Sequence, residues 1–292
     1  MARPRPKEWV VPKDRSDAAA QLKEKNGKVI AGGTGLYELI RRGMISQADA
    51  LIDVQSLGLE YAKVEGTALK VGAMSRFAWL LQQEPLGRQD LAGFREAIQS
   101  IKPVQVRNVA TAGGAVCISI PFLDFPPAVL GYDCRLVLVN SAGRERVVPA
   151  GSFWLDYLLP DLRKDELMTE IQVPLTDLRV GSAFVKQGRT AGDFALVNVC
   201  TRLVFEKDRV KEAAVALGGV ANTPVRHRKA EDVLVGREVG RDLVLKAAET
   251  LKEVEPVPSI HGSPWYKREL SKVLVRDALL ASAQRAGYPV SA

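Results

Sequence analysis

Apolar and polar positions along the chain follow two periods, and the period changes from one region to the next. Asp17 to Lys25 has helical composition and stops at Asn26-Gly27, a C-terminal helix signal. Val29-Ile30 is a short strand, Leu36 to Arg42 a helix closed by Gly43, and Ala50 to Val54 a second strand. Together they read as a β-α-β unit of roughly 30 residues. Leu59 to Glu65 and Ala68 to Ala73 alternate around Gly66-Thr67, and Cys134 to Asn140 and Arg144 to Val148 alternate around Ala142-Gly143. Both pairs predict hairpins. Between them, Ser75 is placed to cap a helix through Gln82, and Leu91 to Ile101 is helical until Pro103 stops it. Ser152 to Tyr157 reads as a short helix, and Leu167 to Val173 as a strand ended by Pro174. In the last third, Ser182 to Lys186, Ala195 to Glu206 and Val210 to Leu217 predict three strands. Helical patterns follow over Lys229 to Val235, Asp242 to Val254 and Lys267 to Ala286. Strands first and helices afterwards is the α+β arrangement.

Two glycine segments interrupt these patterns. Val29-Ile30-Ala31 runs into Gly32-Gly33-Thr34-Gly35, with a helix starting at Leu36, and Thr111-Ala112-Gly113-Gly114-Ala115 echoes it. Glycine has no Cβ, so its backbone takes positive φ and comes close to a ligand. Successive amides in such a segment can form an anion-binding nest, and a helix that begins there adds its positive end. Thr34 and Thr111 add hydroxyl donors. The pair points to two loops that grip the diphosphate of one dinucleotide from two sides; the plainer reading of either loop alone is a tight turn. Neither contains G-x-G-x-x-G or G-x-x-x-x-G-K-[ST], which argues against a classical Rossmann domain and a P-loop.

Composition narrows the class further. The 292 residues suffice for two or three domains, and 47% hydrophobic with 26% charged residues is ordinary for a globular protein. No run reaches about 18 apolar residues, so no membrane span is expected. The start, Met1 to Lys7, is basic without an apolar stretch behind it, unlike a secretory signal, and the cytoplasm is the default location. Cys117, Cys134 and Cys200 lie far apart, as do His227 and His261. That spacing argues against a disulfide framework and against a zinc or iron–sulfur site held by this chain alone. The formal charge of +7 raises nucleic acid as a partner, but the basic residues are scattered and not interleaved with aromatics. They read as solvated surface, some of it facing an acidic partner or an anionic cofactor. Asp124, a single acid in the apolar, proline-rich stretch Ser119 to Pro127, either caps a turn or accepts bonds from sugar-alcohol hydroxyls.

In order along the chain, Ala31 to Leu36, Thr111 to Ala115, Leu123 to Pro127, Leu167 to Pro174, Phe184 to Arg189 with Asp193 to Asn198, and Ala216 to Arg226 resemble the FAD-binding medium subunit of the molybdenum hydroxylases. That family includes xanthine dehydrogenase, aldehyde oxidoreductases and aerobic carbon monoxide dehydrogenase. The ordered set is specific, although each piece alone is not. The resemblance implies a vanillyl-alcohol-oxidase-type fold with two α+β FAD-binding subdomains, expected over residues 1–56 and 57–177. A C-terminal α+β domain, a three- to four-stranded sheet with helices, is expected over 178–292.

The resemblance also implies residue roles. Val29, Ile30, Ala31, Gly32, Gly33, Thr34, Gly35 and Leu36 would hold the diphosphate and adenosine side together with Thr111, Gly113, Gly114 and Ala115. Asp124 would bind the ribityl hydroxyls, Met168 and Lys186 would meet the isoalloxazine edge, and Ile101 would flank the adenine or the flavin. Arg189 and Asp193 would lie where electrons leave. FAD would be held without a covalent bond, and neither His227 nor His261 reads as an attachment point. Cys117 either lies near the flavin or, as free cysteines most often are, is simply a small buried apolar residue. Three departures from the family pattern stand out: Ala115 in place of asparagine, Gly35 in place of a longer side chain, and a shorter loop between Lys186 and Asp193. The implied function is electron transfer from the [2Fe-2S] clusters of a small partner subunit to NAD, a quinone or dioxygen. Substrate would be oxidised in a large molybdopterin subunit, and the complex would be a dimer of heterotrimers. A free-standing flavin oxidoreductase of the same superfamily is the second reading, and a cofactor-free basic assembly or RNA-binding module a third.

Overall fold

The computed structural model describes residues 7–44, 49–260 and 262–288. Met1 to Pro6 and His261 lie outside the described residues. Three sheets follow one another along the chain. The first is parallel: β1 (Glu8–Val10), β2 (Lys28–Ile30) and β3 (Ala50–Asp53), in the order β1-β3-β2. Parallel neighbours need crossovers, and α1 (Arg15–Glu24) and α2 (Thr34–Arg41) are these connections. Asp14 starts α1 by accepting the Asp17 amide. β1 carries no alternation that would announce it, since Glu8 and Trp9 are both exposed; pairing with β3 makes it a strand.

The second sheet is antiparallel and contains both predicted hairpins, β4 (Ala62–Glu65) with β5 (Ala68–Gly72) and β6 (Arg135–Asn140) with β7 (Glu145–Pro149). A small ribbon of β8 (Trp154–Asp156) and β9 (Leu159–Pro160) comes next. Then β10 (Glu166–Pro174) returns between the hairpins to give β4-β5-β10-β6-β7. Five helices lie between β5 and β6: α3 (Phe77–Leu80), α4 (Ala92–Ser100), α5 (Val104–Val109), α6 (Ala112–Cys117) and α7 (Phe125–Gly131). Their aromatic centre is a chain of edge-on rings, Phe77–Phe125–Phe94–Tyr132, with centroids 4.9, 5.1 and 5.5 Å apart. That geometry suits the ring quadrupole.

The third sheet is the antiparallel run β11 (Arg179–Gln187), β12 (Val197–Glu206), β13 (Arg209–Gly218) and β14 (Val225–Arg226). It is covered by α8 (Arg228–Leu234), α9 (Arg241–Glu249) and the long α10 (Pro264–Arg285), whose cap is Ser263. At Gly181 the backbone of β11 meets α10 so closely that a Cβ would stand 1.8 Å from the Ser282 carbonyl oxygen. Polar ties join this sheet to the central helices. The buried Tyr132 hydroxyl donates to Ser182 Oγ at 2.7 Å and accepts the Phe94 amide at 3.3 Å. Glu96 on α4 accepts from the Phe184 amide at 2.9 Å and from the Arg285 guanidinium. No helix of the described residues is long and apolar enough to cross a membrane.

Several local expectations are corrected. Ser152 to Tyr157 is not a helix: a single 3₁₀ turn at Ala150–Ser152 passes into β8. Trp154 decides this, because its indole is buried and donates to the Val116 carbonyl at 3.1 Å. Ser75 caps no helix. Its hydroxyl is spent on both main-chain groups of Tyr61, and α3 begins only after Arg76. The second glycine segment is not a loop but α6 itself, and Phe125-Pro126-Pro127 opens α7 with proline in its first turn, where no intrahelical donor is needed.

His227, ahead of α8, is half buried, with Nε2 3.0 Å from Thr250 Oγ1. Burial holds its imidazole below the ordinary 6.5. As pH falls through that value the unfolded chain takes up a proton that the folded chain refuses, so the group's stabilising contribution is full above about 6.5 and is lost below it. The thermal midpoint should therefore fall between about pH 7 and pH 5, and His227→Gln should flatten that fall. An identical slope in the variant removes His227 as a source.

Candidate cofactor site

The first glycine segment is the turn between β2 and α2. Gly33 occupies the left-handed region at φ 72° and is the N-cap of α2, with no side chain capping the helix. The amides of Gly32, Gly33, Thr34, Gly35 and Leu36 find no acceptor among the described residues. Five N–H groups at the positive end of a helix are left to an outside anion. Gly32 lies directly on the chain leading into α6: a Cβ there would stand 1.9 Å from the Val109 carbonyl oxygen and 2.9 Å from the Ala110 Cα. At Gly35 a Cβ would stand 2.1 Å from Ile118 Cδ1, just past the far end of α6. The family departure at Gly35 thus makes room for Ile118.

The two glycine segments meet, but they are not equivalent. In the second, Thr111 is the N-cap of α6 and its Oγ1 accepts the Gly114 amide at 3.3 Å. The Ala112 and Gly113 amides donate to the Ser75 and Ala73 carbonyls, at 3.0 and 2.9 Å, and Ala115 donates to Thr111 O. Gly113 is required there because a Cβ would stand 2.6 Å from that of Ala73. The amides of α6 are therefore used inside the protein. What this segment still offers a ligand is the Thr111 hydroxyl proton, while Gly113, Gly114 and Ala115 shape the wall. Val29 and Ile30 lie on β2 and Ala31 in the turn that follows.

The stretch from Thr111 to Asp124 leads from this cradle to a second cluster. Cys117 ends α6 with its thiol 3.7 Å from the thioether of Met168 on β10, and burial pushes that thiol up to about 12. It is a neutral, soft wall and not a nucleophile. Asp124 precedes α7 without capping it. Its Oδ2 meets Lys186 Nζ of β11 at 2.6 Å, with side chains only 6% and 12% exposed. Oδ1 accepts from Asn198 Nδ2 of β12 at 3.1 Å, and Ser100 at the end of α4 also faces the carboxylate. Burial pushes the Asp124 carboxyl up, while Lys186, Asn198 and Ser100 draw it back. Ile101 follows Ser100 and takes Arg107 on its carbonyl at 2.6 Å. Arg189 and Asp193 pair with each other at 3.1 Å in the exposed loop after β11. That loop packs on the segment leading to Asp124 through Phe194, whose ring is 5.2 Å from that of Phe122.

Most of the residues singled out in the sequence thus fall into two neighbouring groups, around Gly32–Thr111 and around Asp124–Lys186. In the sequence Asn198 stands only as the end of a motif, without a role. The signal available was one amide inside the otherwise apolar run Ala195 to Cys200. The residues present fit FAD: orphaned amides and hydroxyls for a diphosphate, a buried carboxylate for sugar hydroxyls, and a cation with soft apolar walls for a flavin ring.

Comparison with known proteins gives matches along nearly the whole chain. A family model described as the FAD binding domain in molybdopterin dehydrogenase covers residues 5–176, and one described as the CO dehydrogenase flavoprotein C-terminal domain covers 182–282. The glyceraldehyde dehydrogenase medium chain of Sulfolobus acidocaldarius is 30% identical, over 87% of this chain and 89% of that one. The carbon monoxide dehydrogenase medium chain of Hydrogenophaga pseudoflava is 29% identical, over 95% and 97%. A solved structure of carbon monoxide dehydrogenase from the same organism, lacking the Mo-pyranopterin moiety of its cofactor, superposes with a TM-score of 0.91 at 30% identity, covering 98% of this chain and 99% of its own.

Because the clash at Gly32 is with main chain, Gly32→Ala should separate the two glycine segments whether or not a ligand is bound. A cost of ~1–3 kcal/mol is expected from overpacking, read as a lower thermal midpoint of the ligand-free chain. An unchanged midpoint counts against the close approach.

Proposed function

The chain belongs to the family of FAD-binding medium subunits of the molybdenum hydroxylases, and from that premise we propose how it works within such an enzyme. It is a flavoprotein oxidoreductase subunit with FAD as its cofactor, molybdopterin and iron–sulfur groups belonging to other subunits. We infer that it passes electrons from the [2Fe-2S] clusters of a small partner subunit to an external acceptor. An aldehyde, carbon monoxide or N-heterocycle is oxidised in a large molybdopterin subunit. The heterotrimer pairs with a second copy, in the cytoplasm.

The observation that carries this reading is the set of five free amides at the start of α2, set against the chain that enters α6. When bound, FAD supplies the redox chemistry, and the protein positions it and tunes it. In this reading Gly32 to Leu36 donate to the diphosphate, with Thr34 and Thr111 adding hydroxyls. Val29, Ile30 and Ala31 line the adenosine side, with Gly113, Gly114 and Ala115 opposite. Asp124 accepts from ribityl hydroxyls through lone pairs not taken by Lys186 and Asn198. Lys186 stabilises negative charge at the pyrimidine edge. Ile101, Met168 and Cys117 give the ring dry flanks. Arg189 and Asp193 stand in the exposed loop where electrons leave.

Removing one member of a buried ion pair strands the other, at a cost of about 3–5 kcal/mol. The test of binding is therefore the double variant Asp124→Asn/Lys186→Met, which neutralises both groups. Its FAD dissociation constant, measured by flavin fluorescence, should rise tenfold or more, the equivalent of about 1.4 kcal/mol or more. An unchanged constant removes the pair from the flavin site.

A further inference from the structure

Asp124 offers two oxygens to two different donors, and Asn198 is the less obvious one. Asn198 is fully buried, and its Nδ2 lies 3.1 Å from both Asp124 Oδ1 and the Leu123 carbonyl oxygen. Both neighbours are acceptors only, so the amide has one workable orientation: turned over, its oxygen would face a carboxylate and a carbonyl. In the orientation adopted, Oδ1 is buried without a partner. It is wedged against Gly218, where a Cβ would stand 2.3 Å from it and 2.8 Å from the Pro121 carbonyl oxygen. An unpaired buried oxygen is costly, and packing alone gives no reason to place an amide here.

The register explains what the amide accomplishes. Asn198 is opposite Lys186 in the β11–β12 ladder and opposite Gly218 in the β12–β13 ladder. One strand therefore carries the second donor for Asp124 directly beside the strand that carries its counter-ion. The groups facing the carboxylate are Lys186 from β11, Asn198 from β12 and Ser100 from α4. We propose that Asn198 is a positioning residue that keeps Asp124 ionised, so that Lys186 stands beside the flavin as a partly neutralised cation and the titration of Asp124 adds nothing to the flavin's own dependence on pH. The proposal rests on the reading that Lys186 borders the flavin.

The chemistry follows from burial. A carboxylate out of water is held ionised by its donors, and each lost donor moves it toward the neutral acid. Without the Asn198 amide, Asp124 takes up a proton closer to neutral pH and ceases to balance Lys186. The uncompensated ammonium then favours the reduced, more negative flavin.

The experiment is a spectroelectrochemical titration of FAD in the intact complex across a pH series, for wild type, Asn198→Ala, Asn198→Asp and Lys186→Met. Asn198→Ala should favour the reduced flavin by about tenfold at fixed potential, roughly 30 mV for a two-electron couple. It should also add, beside the flavin's own proton-coupled slope, a second pH inflection that wild type lacks. Asn198→Asp keeps the volume and so guards against a variant that fails to fold. It sets two carboxylates side by side that share one proton, and it too should add an inflection. FAD content should remain stoichiometric in both. Wild-type potentials and slopes in both Asn198 variants, with a shifted potential in Lys186→Met, overturn the role of Asn198 while leaving the flavin site in place. An unchanged potential in Lys186→Met as well overturns the placing of Lys186, and this proposal with it.

Discussion

A lysine ammonium and an aspartate carboxylate 2.6 Å apart, both nearly out of water, join the central helices to the C-terminal sheet. Such a pair is stable only if its remaining lone pairs and protons are met and its geometry is held. Much of the surrounding structure does that holding. Asn198 meets the free carboxylate oxygen, Gly218 leaves space for Asn198, and the Gly219 amide fastens the same strand end to the Pro121 carbonyl. Farther out, Tyr132 with Ser182 and Glu96 with Arg285 lock α4 onto β11 and α10, so that Lys186 and Asp124 cannot drift apart.

The other end of the site depends on a different constraint, the absence of side chains. Gly32 and Gly113 each put main chain where a Cβ would collide with main chain, of Val109 and of Ala73. The first sets the start of α2 on the chain that enters α6, and the second holds α6 against the end of β5. The first helix keeps its N-terminal amides free, and the second spends them internally on Ala73, Ser75 and Thr111. One rigid helix end braced by another is a better anion holder than two mobile loops, because the donors are fixed before the ligand arrives. The stretch from Thr111 to Asp124 then links the anion-holding corner to the ion pair, with the soft contact of Cys117 and Met168 in between. Polar donors at one end, a dry middle and a compensated charge at the other match the parts of a dinucleotide flavin.

Where local pattern and tertiary context agreed, the chain was readable in advance. The hairpins around Gly66-Thr67 and Ala142-Gly143 have strand-like runs on either side of turn residues, and both formed as β4–β5 and β6–β7. The strands of the C-terminal sheet have long apolar runs, the third ended by Gly218-Gly219, and helices cover them as the order of patterns implied. Where a side chain had a better long-range partner, the local signal lost. Trp154 turned a helical-looking stretch into a strand by reaching Val116, and Ser75 gave up its cap for Tyr61. The glycine-rich composition of Ala112 to Cys117 hid a helix, whose first two amides are satisfied by Ser75 and Ala73, far away in sequence.

By itself the sequence determined the periods, the glycines and the one buried-looking acid, since those depend on local sterics and on which residues avoid water. It also carried the ordered motifs that mark the family, which the comparisons bear out over nearly the whole chain. Only the tertiary structure decided which groups meet. That Asp124 faces Lys186, that Asn198 sits opposite Lys186, and that the second glycine segment has already used its amides are facts of register and close approach. Pairing between residues scores apart is fixed by how sheets align and helices dock, and a linear pattern of residue types does not contain that alignment.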